Sequence, residues 1–252
     1  MSDPLHLTLL LLAAFGAGTL NAVAGGGSFL TLPALVFAGL PPVVANATGT
    51  VALLPGYVSG AWGFREELQA PPGLTLPRLA LLSLMGGAAG AALLLVTDDR
   101  IFRILIPWLL LAATALFAIG PALVRNTRTQ AGSVPSTWRA TIGVVLVSVY
   151  GGYFNGGLGI LLLALFGMLG QSNLHAANAS KNIVSALLTA IAVLVYAAGG
   201  LVSWPHALVM MLAATAGGYA GARLARRLPP AVLRAAIVCI GLAMAAVFFM
   251  RG

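Results

Sequence analysis

From Leu7 to Phe64 the chain carries no Asp, Glu, Lys or Arg, and between Ala140 and Ala222 its only formal charge is Lys181. A helix that stays in water needs a charged face, and these stretches offer none. With 60% hydrophobic residues, 7% charged residues and a mean hydropathy of +1.01, the composition lies far outside that of soluble domains. The fold class expected is all-α, a polytopic membrane helical bundle. A spanning helix takes about 20 apolar residues, so 252 residues allow about 8 spans with short loops. Met1 to His6 lacks the basic segment of a signal peptide, and the first apolar run reads as a retained membrane helix.

The net charge of +8 does not point to nucleic acid. Its arginines sit in short connections, Arg125, Arg128 and Arg139 in one, Arg223, Arg226, Arg227 and Arg234 in another. That is the distribution of the positive-inside rule, with the lipid bilayer as partner and these connections on the cytoplasmic side. The single cysteine, Cys239, reads as a small apolar residue of a helix.

Apolar runs and breakers predict helices over 5–23, 43–63, 77–96, 101–123, 139–154, 176–198, 205–222 and 230–250, with two short pieces at 28–39 and 158–170. The order repeats. Ala45-Asn46-Ala47-Thr48 matches Ala177-Asn178-Ala179-Ser180 at a shift of 132. Gly86-Gly87-Ala88-Ala89-Gly90-Ala91 matches Gly217-Gly218-Tyr219-Ala220-Gly221-Ala222 at 131, and Arg103 falls on Arg234 at the same shift. The organisation expected is a first membrane repeat over 1–123, a linker over 124–138 and a second repeat over 139–252. The charge bias favours inverted repeats. The short pieces are too short for a comfortable span and fit half-helices or re-entrant segments. Interrupted segments at matching places in two halves are the usual pointer to a transporter's binding site.

Polar residues concentrate at those places. The first half offers Asn21, Gly25, Gly26, Gly27, Ser28, Asn46 and Thr50; the second offers Asn155, Gly156, Gly157, Asn178, Lys181 and Asn182. Asn178, Lys181, Asn182 and Ser185 share one face of a helix. A lysine in the first turns of a helix opposes the macrodipole, whereas an anion held between the ammonium and the N-terminal N–H groups would satisfy both. The other reading is a lysine snorkelling to an interface. The asparagines can line a site or hydrogen-bond between helices. The glycine breaks can cradle an anion with backbone N–H groups or simply permit close packing, which is the better account of Gly86, Gly87, Gly90, Gly217, Gly218 and Gly221. His175 can carry a coupling proton, or act as a cap or interface residue.

The membrane segments contain no carboxylate to hold a metal, and no cofactor motif or catalytic constellation is present, so no enzyme is expected. Trp62, Trp108, Trp138 and Trp204 read as interfacial anchors near helix ends. The residues predict a secondary transporter for a small anion, with a passive anion channel of the same lining as the alternative. The site is expected near mid-membrane at the repeat interface.

The segment from Gly18 to Ser28, with Ala45-Asn46-Ala47-Thr48-Gly49-Thr50, resembles the TauE/SafE-type sulfite exporter family. Asn155-Gly156-Gly157-Leu158-Gly159 and Ala177 to Asn182 are similar to that family's second motif. The resemblance covers nearly the whole chain. It implies multi-pass transport across the bacterial cytoplasmic (inner) membrane of sulfite, a sulfonate or a related organic anion. Direction, coupling ion and a homodimer stay open.

Overall fold

The computed structural model describes residues 4–24, 26–129, 137–224 and 230–251. Among them the chain forms ten α-helices: α1 (Pro4–Ala24), α2 (Ser28–Phe37), α3 (Pro42–Gly63), α4 (Leu76–Leu95), α5 (Asp99–Thr129), α6 (Thr137–Tyr153), α7 (Leu158–Met168), α8 (Leu174–Ala198), α9 (Trp204–Leu224) and α10 (Pro230–Arg251), with a 3₁₀ turn at Arg65–Glu67. The stretches Pro4–Asn21, Leu76–Leu95 and His175–Ala198 are long and apolar enough to cross a membrane by length and composition. Large apolar side chains such as Leu12, Leu93, Leu146, Leu194 and Leu212 stand exposed on the outside of the bundle. Water would penalise such a surface and lipid does not.

Helix starts and stops follow local chemistry. Pro42, Pro77 and Pro230 sit in the first turns of α3, α4 and α10, where a missing N–H costs nothing. The Asn173 side chain caps α8, accepting from the N–H groups of His175 and Ala176. Both short helices end in the same left-handed glycine stop. Gly39 (φ 92°) is followed by Leu40 N–H donating to Leu35, and Gly170 (φ 83°) by Gln171 N–H donating to Phe166. The one sizeable boundary difference is α5, which runs to Thr129 instead of stopping at 123. The helix continues through Gly120-Pro121 with no further glycine or proline up to Thr129, and Arg125 and Arg128 suit a helix C-terminus. The rest of the expected linker, 130–136, lies outside the described residues.

The bundle has two ends. At the first, Asp99 Oδ1 accepts from Val43 N–H (2.9 Å), joining the starts of α5 and α3. His6 meets Phe37 edge-on at 5.9 Å, and Gly199 abuts Leu95, so α1 begins and α2, α4 and α8 finish there. At the second end, the Gln69 carbonyl accepts from Gln171 Nε2 (3.0 Å) and Ser180 Oγ (2.6 Å), tying the α3–α4 loop to the starts of α8 and the end of α7.

Helix partners are exchanged reciprocally. α1 packs on α9 and α4 on α6; α3 packs on α9 and α8 on α4; α3 meets α8 and α5 meets α10. The two tightest crossings are made at glycines. Gly90 lies against the Val149 carbonyl and Gly152 against that of Gly87, while Gly217 lies against the Phe15 carbonyl and Gly18 against that of Ala214. The packing reading of these stripes holds wherever they are described; Gly221 side-chain space is not. Trp62, Trp138 and Trp204 are exposed near helix ends. Trp108 differs: it lies inside α5, its ring edge-on to Phe249 of α10 at 5.2 Å.

Candidate functional site

Each short helix turns back along the long helix before it. Gly27 comes to the level of Ala17, a Cβ on it standing 2.8 Å from the Ala17 carbonyl, and α2 then returns to the first end. After α6, Asn155 (φ 63°) and Gly157 (φ 70°) adopt left-handed conformations, and α7 runs back past Gly151 and Gly143. Asparagine tolerates that conformation better than other side chains. Neither α2 nor α7 has a side-chain N-cap; early N–H groups turn onto carbonyls of the breaks themselves, Phe29 onto Gly26, Leu30 onto Gly27 and Ile160 onto Gly157.

Three tyrosines hold the second break. Tyr150 Oη donates to the Gly156 carbonyl (2.6 Å), Tyr57 Oη donates to Asn155 Oδ1 (3.1 Å), and Tyr196 Oη donates to the Gly152 carbonyl. None of the three was a predicted site residue. The available signal was tyrosine in the interior of otherwise aliphatic membrane helices, where a buried hydroxyl demands a partner.

The predicted residues fall into distinct places. Asn21, Asn155 and Asn182 converge on one short stretch of α3. Asn21 Nδ2 stands 3.5 Å from where a Cβ on Gly56 would be, Asn155 bonds Tyr57, and Asn182 Nδ2 donates to the Gly60 carbonyl at 3.4 Å. Pro55, just before this stretch, leaves the Val51 carbonyl without its intrahelical N–H. Asn46 behaves as a helix–helix bond, its Nδ2 donating to the Tyr153 carbonyl at 2.9 Å. Thr50 spends its hydroxyl on the Asn46 carbonyl. Gly26, Gly27, Ser28, Gly156 and Gly157 are buried at the breaks, Asn178 is half-buried, and Gly25 lies outside the described residues.

The polar segments of the two halves occupy different levels. Asn46 is four residues into α3 from the first end, and Lys181 seven residues into α8 from the second; these are roughly 6 Å and 10 Å of helix. They are not two walls facing each other at one depth. What joins them is a polar stripe on α8. Lys181, Ser185, Thr189 and Tyr196 lie within about 80° of arc, and Tyr196 turns that face toward the end of α6. His175 is exposed and about 120° away from Lys181 around the helix.

The stripe is under-satisfied. Ser185 Oγ, Thr189 Oγ1, Asn21 Oδ1 and Asn155 Nδ2 are buried without a hydrogen-bond partner. The Lys181 ammonium, on a half-buried side chain, makes no hydrogen bond or ion pair among the described residues. Buried polar groups normally find partners, and each exception calls for an explanation such as water or a ligand. Lys181 and Ser185, one turn apart on α8, offer an ammonium and a hydroxyl of the kind an oxyanion takes, with Thr189 a further turn along. Two cavities, of about 1170 and 320 Å³, are lined by none of these residues.

The family described as "Sulfite exporter TauE/SafE" matches residues 10–248. A probable membrane transporter protein of Haemophilus influenzae is 28% identical over 244 residues, 95% of this chain and 93% of its own length. The probable membrane transporter protein YfcA of Escherichia coli K12 is 28% identical over 248 residues, 98% of this chain and 90% of its own. A probable membrane transporter protein of Sinorhizobium, ORF9, is 27% identical over 239 residues, covering 95% and 90%. No solved structure matches.

Proposed function

The chain belongs to the sulfite exporter TauE/SafE family and is a membrane transporter; we propose that its cargo is a small oxyanion, sulfite or a sulfonate, carried across the bacterial inner membrane by alternating access. The observation that carries this reading is Lys181. It is the single formal charge between Ala140 and Ala222, it has no hydrogen-bond or ion-pair partner among the described residues, and its helix face continues into two buried hydroxyls without a partner among them. An intramembrane cation is costly unless something neutralises it, and an anionic substrate is the group that does so transiently.

The reciprocal helix packing supports two inverted repeats. The first half starts at the end where α1 begins, and the second starts from the opposite end. The second end then carries the arginine-rich connections and faces the cytoplasm. A carrier is favoured over a channel because the polar stripe is packed shut: Ser185 and Thr189 are 1% and 0% exposed. A channel needs a continuous wet path, whereas an occluded intermediate is part of a carrier's cycle.

The test is flux in proteoliposomes. Lys181→Met is expected to abolish uptake of radiolabelled sulfite or sulfoacetate while thermal unfolding stays cooperative. Lys181→Arg, which keeps the charge, retains part of the flux. Wild-type flux in Lys181→Met would sink the electrostatic account.

A further inference from the structure

The cavity of about 1170 Å³ lies between α1, α2, α5 and α10, away from the proposed transport residues. It exists because the two short helices are covered unequally. α7 packs along α5, whereas α2 meets α10 only sparsely. The floor is apolar and closed, with Phe29 at 0% and Phe248 at 8% exposure. Its rim opens sideways through Leu9, Phe37 and Val247, which are 39%, 54% and 41% exposed. The volume exceeds the roughly 300–1,000 Å³ of pockets for drug-sized ligands, and its opening faces the lipid side of the bundle.

One end of the cavity is charged. Asp99 and Arg103 line it beside the α2–α3 turn at Gly39–Pro42, at the first end of the bundle. They are one turn apart on α5, a spacing at which acid and base ordinarily pair. Here they do not. Asp99 Oδ1 is turned to Val43 N–H at 2.9 Å, and the exposed Arg103 has no ion-pair or hydrogen-bond partner among the described residues. A carboxylate accepts through both oxygens, so Asp99 keeps an oxygen for a second donor.

We propose that this cavity is a binding site for one phospholipid with an amine-bearing zwitterionic headgroup, of the phosphatidylethanolamine type. One acyl chain lies along α2, the phosphate sits on Arg103 and the ammonium on Asp99. Chain burial supplies little preference, because lipid tails are as apolar as the groove. Selectivity therefore rests on the headgroup. A guanidinium binds phosphate in a two-pronged fashion, and a primary ammonium brings three donors for the carboxylate. Phosphatidylglycerol lacks the cation for Asp99, and phosphatidylcholine carries a cation without N–H donors.

The experiment is native mass spectrometry of the purified full-length protein with the three lipids at matched chain length. Phosphatidylethanolamine is expected to be retained about tenfold better than phosphatidylcholine or phosphatidylglycerol, the ratio a charge-assisted hydrogen bond supplies. Asp99→Asn keeps the acceptor for Val43 and is expected to erase that preference. Arg103→Gln is expected to weaken all three lipids, and Ala34→Phe, which fills the groove, to remove binding with both charges intact. Equal or better retention of phosphatidylglycerol by the wild-type protein overturns the proposal. So does lipid binding indifferent to Arg103→Gln and Ala34→Phe.

Discussion

Replacing Tyr57 by phenylalanine removes one oxygen atom and, through it, the only hydrogen-bond partner that the Asn155 side chain has among the described residues. Tyr57 is 5% and Asn155 1% exposed, and their 3.1 Å hydrogen bond crosses from α3 to the second break. Asn155 Nδ2 already lacks a partner, so Tyr57→Phe leaves the whole side-chain amide buried and unsatisfied. Stranding a buried polar group of this kind costs about 1–3 kcal/mol. The ring still fills its space, so no cavity term is added. For a protein of this length, that corresponds to a fall in Tm of roughly 2–12 °C. Thermal unfolding of the purified protein reads the change directly. The mechanism is separated from a general effect by repeating the substitution in Asn155→Gly, which removes the amide and accepts φ 63° without strain. There Tyr57→Phe is expected to cost close to nothing, and the difference between backgrounds is the coupling energy. Equal costs in both backgrounds would refute the claim that Tyr57 acts through Asn155.

Ser185→Ala and Thr189→Val each remove a buried hydroxyl without a partner. They are expected to leave stability unchanged or raise it by about 1 kcal/mol while lowering anion flux, a combination that a structural role would not produce. Gly90→Leu places a side chain against the Val149 carbonyl and is expected to cost about 3 kcal/mol, the upper end for overpacking, read as lost cooperativity in thermal unfolding. Asn173→Ala removes the cap of α8 and is expected to cost about 1 kcal/mol with Kd for the anion nearly unchanged, measured by calorimetry.

Helix positions were legible in the chain because membrane helices are punctuated by strong local rules. Pro42, Pro77, Gly39 and Gly170 start or stop helices through their own backbone chemistry, and the short helices fall within two residues of expectation. The site was less legible. Spacing places Asn178, Lys181, Asn182 and Ser185 on one side of a helix, but it says nothing of their level relative to Asn46 on another. That depends on α3 and α8 starting from opposite ends. The role of Tyr57, Tyr150 and Tyr196 was hidden for a related reason. Each hydroxyl reaches a backbone or amide group at the second break, and for Tyr57 and Tyr196 that break is far away in sequence.

The position matching Lys181 at the shift of 132 is Gly49, and the packing explains why it carries no counterpart. A Cβ on Gly49 would stand 2.8 Å from Thr31 Oγ1 and 3.6 Å from Leu35, so α2 occupies the space a lysine would need. Two inverted halves of identical sequence would make the states open to either side equivalent by a two-fold rotation, equal in free energy. A lysine present near one end and sterically barred from the other lifts that degeneracy. On the inverted reading, the two half-cycles then run with unequal rates and affinities, and that inequality follows from where α2 rests on α3, while the gradients set the direction of net flux.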